Sequence, residues 1–391
     1  MQNRRNFLKQ GSFYLGGTLF MPYSMKELAG IICNRENQQI KYVQVASLED
    51  RYLGWPANNG IWKWDGGLEI LVGFTDGPFD QEGGFHRIGN PQLSKLSRSK
   101  DGGKTWEIES PDNFVGSAGS VISYPGDIHF GHNDFALRVS SAGYHGNDDI
   151  HGHFFISYDR GKSWEGGYRF NGLQDNDELK GLEITSRTNY LVTGENSIQI
   201  FMTARNPKIQ HADRRDKTFI LETKDGGRTF QFISWIVPWG AQDNRAAMPS
   251  GVRTKDGKMV VAVRVKNPFD LKVPSWIDCY ISANNGRSWE FLSTVGQTGF
   301  ENGNPPALIT LKDGRLACCY ANRDTRQLLI RYSWDNGKTW DKELVIRDNP
   351  YTYDMGYPQL AENKNGELVA IYYLATEVRS NNYIEAAIWQ P

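Results

Sequence analysis

Tyr357, in Gly356-Tyr357-Pro358-Gln359-Leu360, is a candidate nucleophile or proton-transfer group. A phenol with a pKa near 10 needs a neighbouring base to act near neutrality, and Asp354, Glu301 and Glu183 are the carboxylates able to supply one. The alternative use of Tyr-Pro at a strand start is as a packing corner. His86 lies in the Gly-rich stretch 74–92, FTDGPFDQEGGFHRIGNPQ, which is longer than a hairpin needs. Its imidazole suits acid/base exchange, with Asp80 as the second candidate; a solvated loop histidine is the plainer reading. Five of the seven histidines fall between residues 129 and 153, around His132 and Asp134. No spacing there matches a metal-ligand set, so hydrogen bonding to sugar hydroxyls or to the next strand is expected, and no metal or cofactor. Arg187, Arg245 and Arg326 would favour an anionic sugar such as a uronic acid, unless each pairs with Glu183, Asp243 or Asp324.

These groups are scattered along the chain, so chemistry depends on a fold that gathers them. Five copies of Ser/Thr-x-Asp/Asn-x-Gly-x-Ser/Thr-Trp/Phe, centred on Asp101, Asp159, Asp225, Asn284 and Asp335, point to that fold. The Asp or Asn can bond local backbone N–H groups, Gly supplies a positive φ, and the aromatic ring buries itself beneath the turn. Each copy is thus a hairpin tip. Turn motifs at this spacing, between runs such as KMVVAVRV and SWIDCYISA, predict four-stranded propeller blades. Counting units gives six blades over residues 38–391, an all-β six-bladed β-propeller. After the fifth box only three strands remain, and KYVQVASL (41–48) is the unassigned run, so the last blade is expected to close on an N-terminal strand beside residues 383–389.

Residues at the start of each blade's innermost strand converge on one end of the axis. They are Trp55 and Asn58, His132 and Asp134, Glu183 and Arg187, Arg245, Glu301 and Asn304, then Asp354 and Tyr357. A cup of acids, bases and aromatics suits a sugar.

The formal net charge of −1, with mixed signs throughout, argues against nucleic acid as the main partner. Arg4-Arg5-Asn6-Phe7-Leu8-Lys9 before a modest apolar run reads as a twin-arginine export signal over 1–35, placing the protein in a bacterial periplasm or outside the cell. That run is too short and Gly-broken to span a membrane. Cys33, Cys279, Cys318 and Cys319 make no disulfide framework; Cys318 and Cys319, adjacent in a strand, point to opposite faces and serve packing.

The boxes, the blade count and the inner-strand pattern resemble the sialidase superfamily, also called the BNR or Asp-box repeat family, over roughly residues 40–391. The resemblance implies a tyrosine nucleophile assisted by a Glu, an Asp acid/base and three arginines that clamp a substrate carboxylate. Gly356-Tyr357-Pro358 and the strand ending Ile371-Tyr372-Tyr373 match the nucleophile segment, and Arg326 matches one clamp arginine. Elsewhere the pattern departs: Gly54-Trp55-Pro56 stands for the first clamp arginine, Met248-Pro249 for the assisting Glu, Trp276-Ile277-Asp278 opens the strand of the second arginine, and Gly84-Phe85-His86-Arg87 for the acid/base Asp.

Three functions follow as expectations. The first is a glycoside hydrolase acting on a terminal sugar of an oligosaccharide or polysaccharide, not sialic acid. The second is a polysaccharide lyase in which Tyr357 and His86 or His132 move the proton beside a uronate. The third is a glycan-binding propeller that stacks sugars on Trp55, Trp62 and Trp64.

Overall fold

The computed structural model describes residues 39–391 apart from 83–84, 112–113, 115–123, 125, 141–150, 186, 207–215, 239–243 and 301–302. The proposed leader, Cys33, Asp243 and Glu301 lie outside the described residues.

Six antiparallel sheets form the blades of one compact unit, Ile40–Pro391. Blade four is the plainest, a meander of Arg245–Arg253, Met259–Lys266, Ser275–Ser282 and Glu290–Gly299. Blade five repeats it with Ala307–Thr310, Leu316–Asn322, Gln327–Ser333 and Leu344–Arg347. In blades one and three the innermost strand is interrupted, as Arg51–Gly54 with Ile61–Trp64 and Glu183–Ile184 with Tyr190–Gly194. Blade two shows Ala136–Ser140, His153–Ser157 and Glu165–Arg169 among the described residues.

Blade six runs Gly356–Glu362, Leu368–Thr376, Arg379–Trp389, and its outer strand is Lys41–Ala46, in register from Lys41 opposite Ile388 to Ala46 opposite Ile384. The ring therefore closes on the N-terminal strand, as expected from the missing sixth box. Closure gives the last blade its fourth, outer strand and ties the two ends of the ring together.

The boxes are built as their residue types require. In the first, the Asp101 carboxylate accepts from the Thr105 amide at 2.9 Å and the Thr105 hydroxyl at 2.7 Å, and Trp106 Nε1 donates to the Gly103 carbonyl at 2.8 Å. Gly103, at φ 95°, packs on Val369 of blade six, where a side chain would collide. The aromatic ends feed the interblade cores: Trp164 lies between blades one and two, and Phe230 between two and three. Cys318 joins the core between blades four and five, Cys319 the next one, because neighbours on a strand face opposite sheets of packing.

Candidate functional site

Each box joins the third strand of its blade to the fourth, which marks one end of the propeller. First strands begin, and second-to-third loops turn, at the other end. Three starts there share one backbone device, a residue of positive φ directly before a proline: Trp55 at 54°, Met248 at 56° and Tyr357 at 46°. The register slips at two of them, between Ala247 and Ser250 and between Gly356 and Gln359. Left-handed conformations in residues with a Cβ cost about 1–3 kcal/mol each and persist where packing enforces them. Here they aim three side chains into one buried cluster with Tyr52 and Tyr373.

The cluster is organised around Asp354. Its carboxylate accepts from Tyr52 Oη at 2.7 Å and Tyr373 Oη at 2.5 Å, meets His86 Nδ1 at 2.9 Å, and faces Arg323 Nη2 at 3.9 Å. Burial pushes such a carboxyl up, but the His86 contact, the Arg323 charge and the Tyr373 bond outweigh it and hold Asp354 below the ordinary range. An ionised Asp354 only accepts, so His86 Nδ1 carries the proton that faces it. Trp55 stands edge-on to the His86 ring at 5.1 Å, which leaves His86 with about 30% of its side chain exposed.

The Tyr357 hydroxyl accepts from Arg264 Nη1 at 3.2 Å, and the Arg323 guanidinium sits 5.5 Å from the centre of its ring. Tyr357 belongs to blade six, Arg323 to blade five and Arg264 to blade four. A hydroxyl that reaches from blade six past blade five to blade four lies at the axis, although only 7% of Tyr357 is exposed. Burial raises its pKa, yet Arg264 and Arg323 together bring it below the ordinary phenol value. Asn304 fixes the backbone beneath, accepting from the Tyr357 amide at 2.7 Å and donating to the Met355 carbonyl at 3.0 Å.

Neither arginine is neutralised in the usual way. Arg264 is buried and makes no ion pair among the described residues. Arg323 is also buried; its Nη2 donates to Tyr373 Oη at 3.2 Å and faces Asp354 at 3.9 Å, while its Nε and Nη1 have no hydrogen-bond partner among the described residues. Buried donors left unmatched cost about 1–3 kcal/mol each, more when charged, and an anion seated among them would relieve that cost.

Other groups named from the sequence fall elsewhere. Arg326, three residues beyond Arg323, sits on the exposed turn at φ 53° and donates to the Pro350 and Tyr351 carbonyls. Arg323 turns inward in its place, being the first residue of that turn, directly after the strand that ends at Asn322. His132 and Asp134 are at the box end: their segment leads the strand that pairs with the one entering the second box, and Asp134 pairs with Arg160 of that box at 2.6 Å. Glu183 pairs with Arg205, not Arg187, at 2.6 and 2.8 Å. Arg187 donates to the Pro249 and Pro306 carbonyls, and Arg245 pairs with Asp216 at 2.6 Å. Asp80 is exposed in its loop turn, where it accepts from the Glu82 amide, and Asn58 is buried in the turn that follows Trp55. Trp62 and Trp64 are buried in the core between blades one and two and offer no stacking surface.

The base expected beside Tyr357 is not Asp354, whose partners are Tyr52, Tyr373 and His86; arginines polarise the phenol instead. Met248 fills the cluster where a carboxylate was expected. Sequence reading missed Arg264, Arg323, Tyr52 and Tyr373. One signal was present: the second strands of blades three, four and five each end on or near an arginine, Arg205, Arg264 and Arg323, in otherwise apolar runs.

A direct check on this electrostatic picture needs no substrate. In an ultraviolet titration of the folded protein, one tyrosinate should form at lower pH than any other, because burial beside Asp354 drives Tyr52 and Tyr373 far upward. Tyr357→Phe should remove that early step and Arg264→Met should move it to higher pH. A titration unchanged by both substitutions would mean the arginines do not act on Tyr357.

Residues 239–370 match the model of the BNR repeat-like domain. Among solved structures, a protein of unknown function from Dyadobacter fermentans superposes with a TM-score of 0.64 at 16% identity, covering 90% of this chain and 99% of its own. The α-L-arabinofuranosidase of Fusarium graminearum, solved with arabinobiose, gives 0.56 at 13%, covering 90% and 97%. The NanB sialidase of Streptococcus pneumoniae gives 0.51 at 13%, covering 89% and 70%. No curated protein matches by sequence. Residues 239–370 thus match a BNR repeat-like domain, and the chain shares the six-bladed propeller fold of these structures. Among the described residues, no helix is long and apolar enough to cross a membrane.

Proposed function

We propose that this protein cleaves a terminal, carboxylate-bearing sugar from a glycan by hydrolysis, and that it works outside the cytoplasm, as its twin-arginine start suggests. The observation that carries this reading is the pair of buried guanidiniums beside the Tyr357 phenol, Arg264 with no ion pair among the described residues and Arg323 with only the 3.9 Å contact to Asp354. The fold shared with arabinofuranosidases and sialidases agrees with it. A substrate carboxylate would take the open donors of the two arginines, which places the sugar ring over Tyr357. Tyr357, its phenolic proton lost to solvent under the charge of Arg264 and Arg323, attacks the anomeric carbon as the phenolate while the imidazolium form of His86, oriented through Nδ1 by Asp354, gives its Nε2 proton to the departing glycosidic oxygen. Water attacks the resulting aryl glycoside, His86 takes the water's proton, and the phenolate leaves toward Arg264 and Arg323. A phenolate whose charge two guanidiniums offset suits an anionic sugar better than a carboxylate nucleophile, which the substrate's own charge would repel.

β-Elimination is the second reading, favoured by the lack of any carboxylate at the Tyr357 hydroxyl among the described residues. A phenolate held by two arginines could remove the proton next to a uronate carboxylate, with His86 protonating the leaving oxygen. The deciding experiment is a screen of acidic and neutral oligosaccharides with mass and ultraviolet detection: hydrolysis adds water, elimination leaves an unsaturated sugar. Cleavage of neutral glycans alone would overturn the anionic reading. Sialosides should be poor substrates, because Trp55 stands where the first clamp arginine is expected and a lost charged contact costs about 1.5–3 kcal/mol. Rapid release of sialic acid would show that two arginines suffice.

A further inference from the structure

Outside the anion pocket, one line of aromatic rings has no structural duty that explains its exposure. Phe85 is half-buried, with the Arg323 guanidinium 5.3 Å from its ring centre and the His86 ring 4.5 Å away, edge-on. Its other neighbour is Tyr353, 4.7 Å distant between ring centres. Tyr353 belongs to the connection between blades five and six, and 41% of it is exposed; Tyr351, two residues earlier, is 49% exposed. The backbone that carries them is fixed, since the Met355 amide donates to the Tyr353 carbonyl at 3.0 Å and the Tyr351 amide to the Ala375 carbonyl at 2.9 Å. Neither Tyr hydroxyl has a hydrogen-bond partner among the described residues. Aromatic rings held rigidly at a site mouth, each with an apolar face and an uncommitted polar tip, match the CH face and hydroxyl rim of a pyranose.

We infer that Phe85 and Tyr353 form a subsite for the sugar ring next to the one held by Arg264 and Arg323, so that the protein recognises at least a disaccharide. This rests on the anionic-sugar reading above. The line runs from Arg323 through Phe85 to Tyr353, so a glycan anchored by its carboxylate reaches the rings with its next residue. Tyr353 is the cleaner handle, because it is exposed and its removal leaves the Asp354 network untouched.

The test is calorimetric binding to two matched pairs, galacturonic acid with digalacturonic acid and N-acetylneuraminic acid with 3′-sialyllactose, using the full-length protein and slow or inactive Tyr357→Phe where turnover interferes. In at least one pair the longer member should bind more tightly, by roughly five- to tenfold, the size expected of one aromatic stacking contact. Tyr353→Ala should collapse that preference, and Tyr353→Phe should retain most of it, because the ring and not the hydroxyl carries the contact. A longer member that binds no better than its monosaccharide, or a preference that survives Tyr353→Ala, overturns the subsite. Failure of all four acids to bind, or binding indifferent to Arg264→Met, overturns the anionic-sugar reading instead, and the subsite with it.

Discussion

Tyr357→Phe is expected to lower turnover of the identified substrate by at least about 10²-fold while leaving a cooperatively folded protein. The substitution removes one oxygen and nothing else. Folding should survive because the ring keeps its packing against Tyr373, with centres 6.2 Å apart, and its place in the cluster with Met248 and Tyr52. What is lost is the acceptor for Arg264, a net cost of about 1 kcal/mol against a total stability of about 5–15 kcal/mol. A packing residue would behave otherwise: the Phe variant would keep near-full activity, and the chemistry would then have to be sought at His86. The measurement is kcat for wild type and variant on one substrate, with thermal unfolding of both as the control. Mass analysis of a trapped glycosyl-protein would separate nucleophile from base, since only the former becomes covalently attached.

How much of this was legible before the structure depends on the scale of the feature. The boxes report the fold because each is a local device: Asp101, Thr105 and Trp106 make the same bonds whatever surrounds them, and their repetition implies repeated blades. Closure by Lys41–Ala46 was equally readable, as a strand pattern left over on one side and a gap on the other. The site is a different kind of object, made where strands and loops of blades one, four, five and six meet near the axis. Tyr357, Asp354 and Trp55 could be named because they begin inner strands, and His86 because its loop is long. Arg323 and Arg326 are one turn apart, and only the direction of the chain at Asn322 decides which of them faces inward. His132 and Asp134 were assigned to an inner-strand start, whereas their strand is the one that pairs with the strand entering the box, and so begins at the opposite end. Arg264 was hidden by its setting, one of two charges, with Lys266, at the end of the otherwise apolar MVVAVRVK. Its burial follows from the axis being crowded, a property of the closed ring that no single blade possesses.

Asp354→Ala should destabilise the fold by about 3–5 kcal/mol, the usual consequence of removing one partner from a buried charged contact. The argument concerns what remains. Without the carboxylate, Arg323 keeps a buried guanidinium whose Nε and Nη1 already lack partners, and Tyr52, Tyr373 and His86 lose their common acceptor. Asp354→Asn should cost less, because the amide oxygen still accepts while only the charge is gone. pH dependence offers an independent reading of the same group. The folded protein holds Asp354 below the ordinary carboxyl range, so the unfolded chain binds the proton more readily. Its contribution is therefore complete above the unfolded value of about 3.9 and is lost as pH falls through the lower folded value. Denaturant midpoints measured from neutral pH downward should show the gap between wild type and Asp354→Asn closing over that acid window. Activity should fall in both variants even where folding is complete, by about 10²-fold or more, because His86 loses the group that fixes its proton on Nδ1. An Asp354→Asn protein with wild-type kcat and an unchanged pH profile would reduce Asp354 to a structural anchor and leave His86 without an orienting partner.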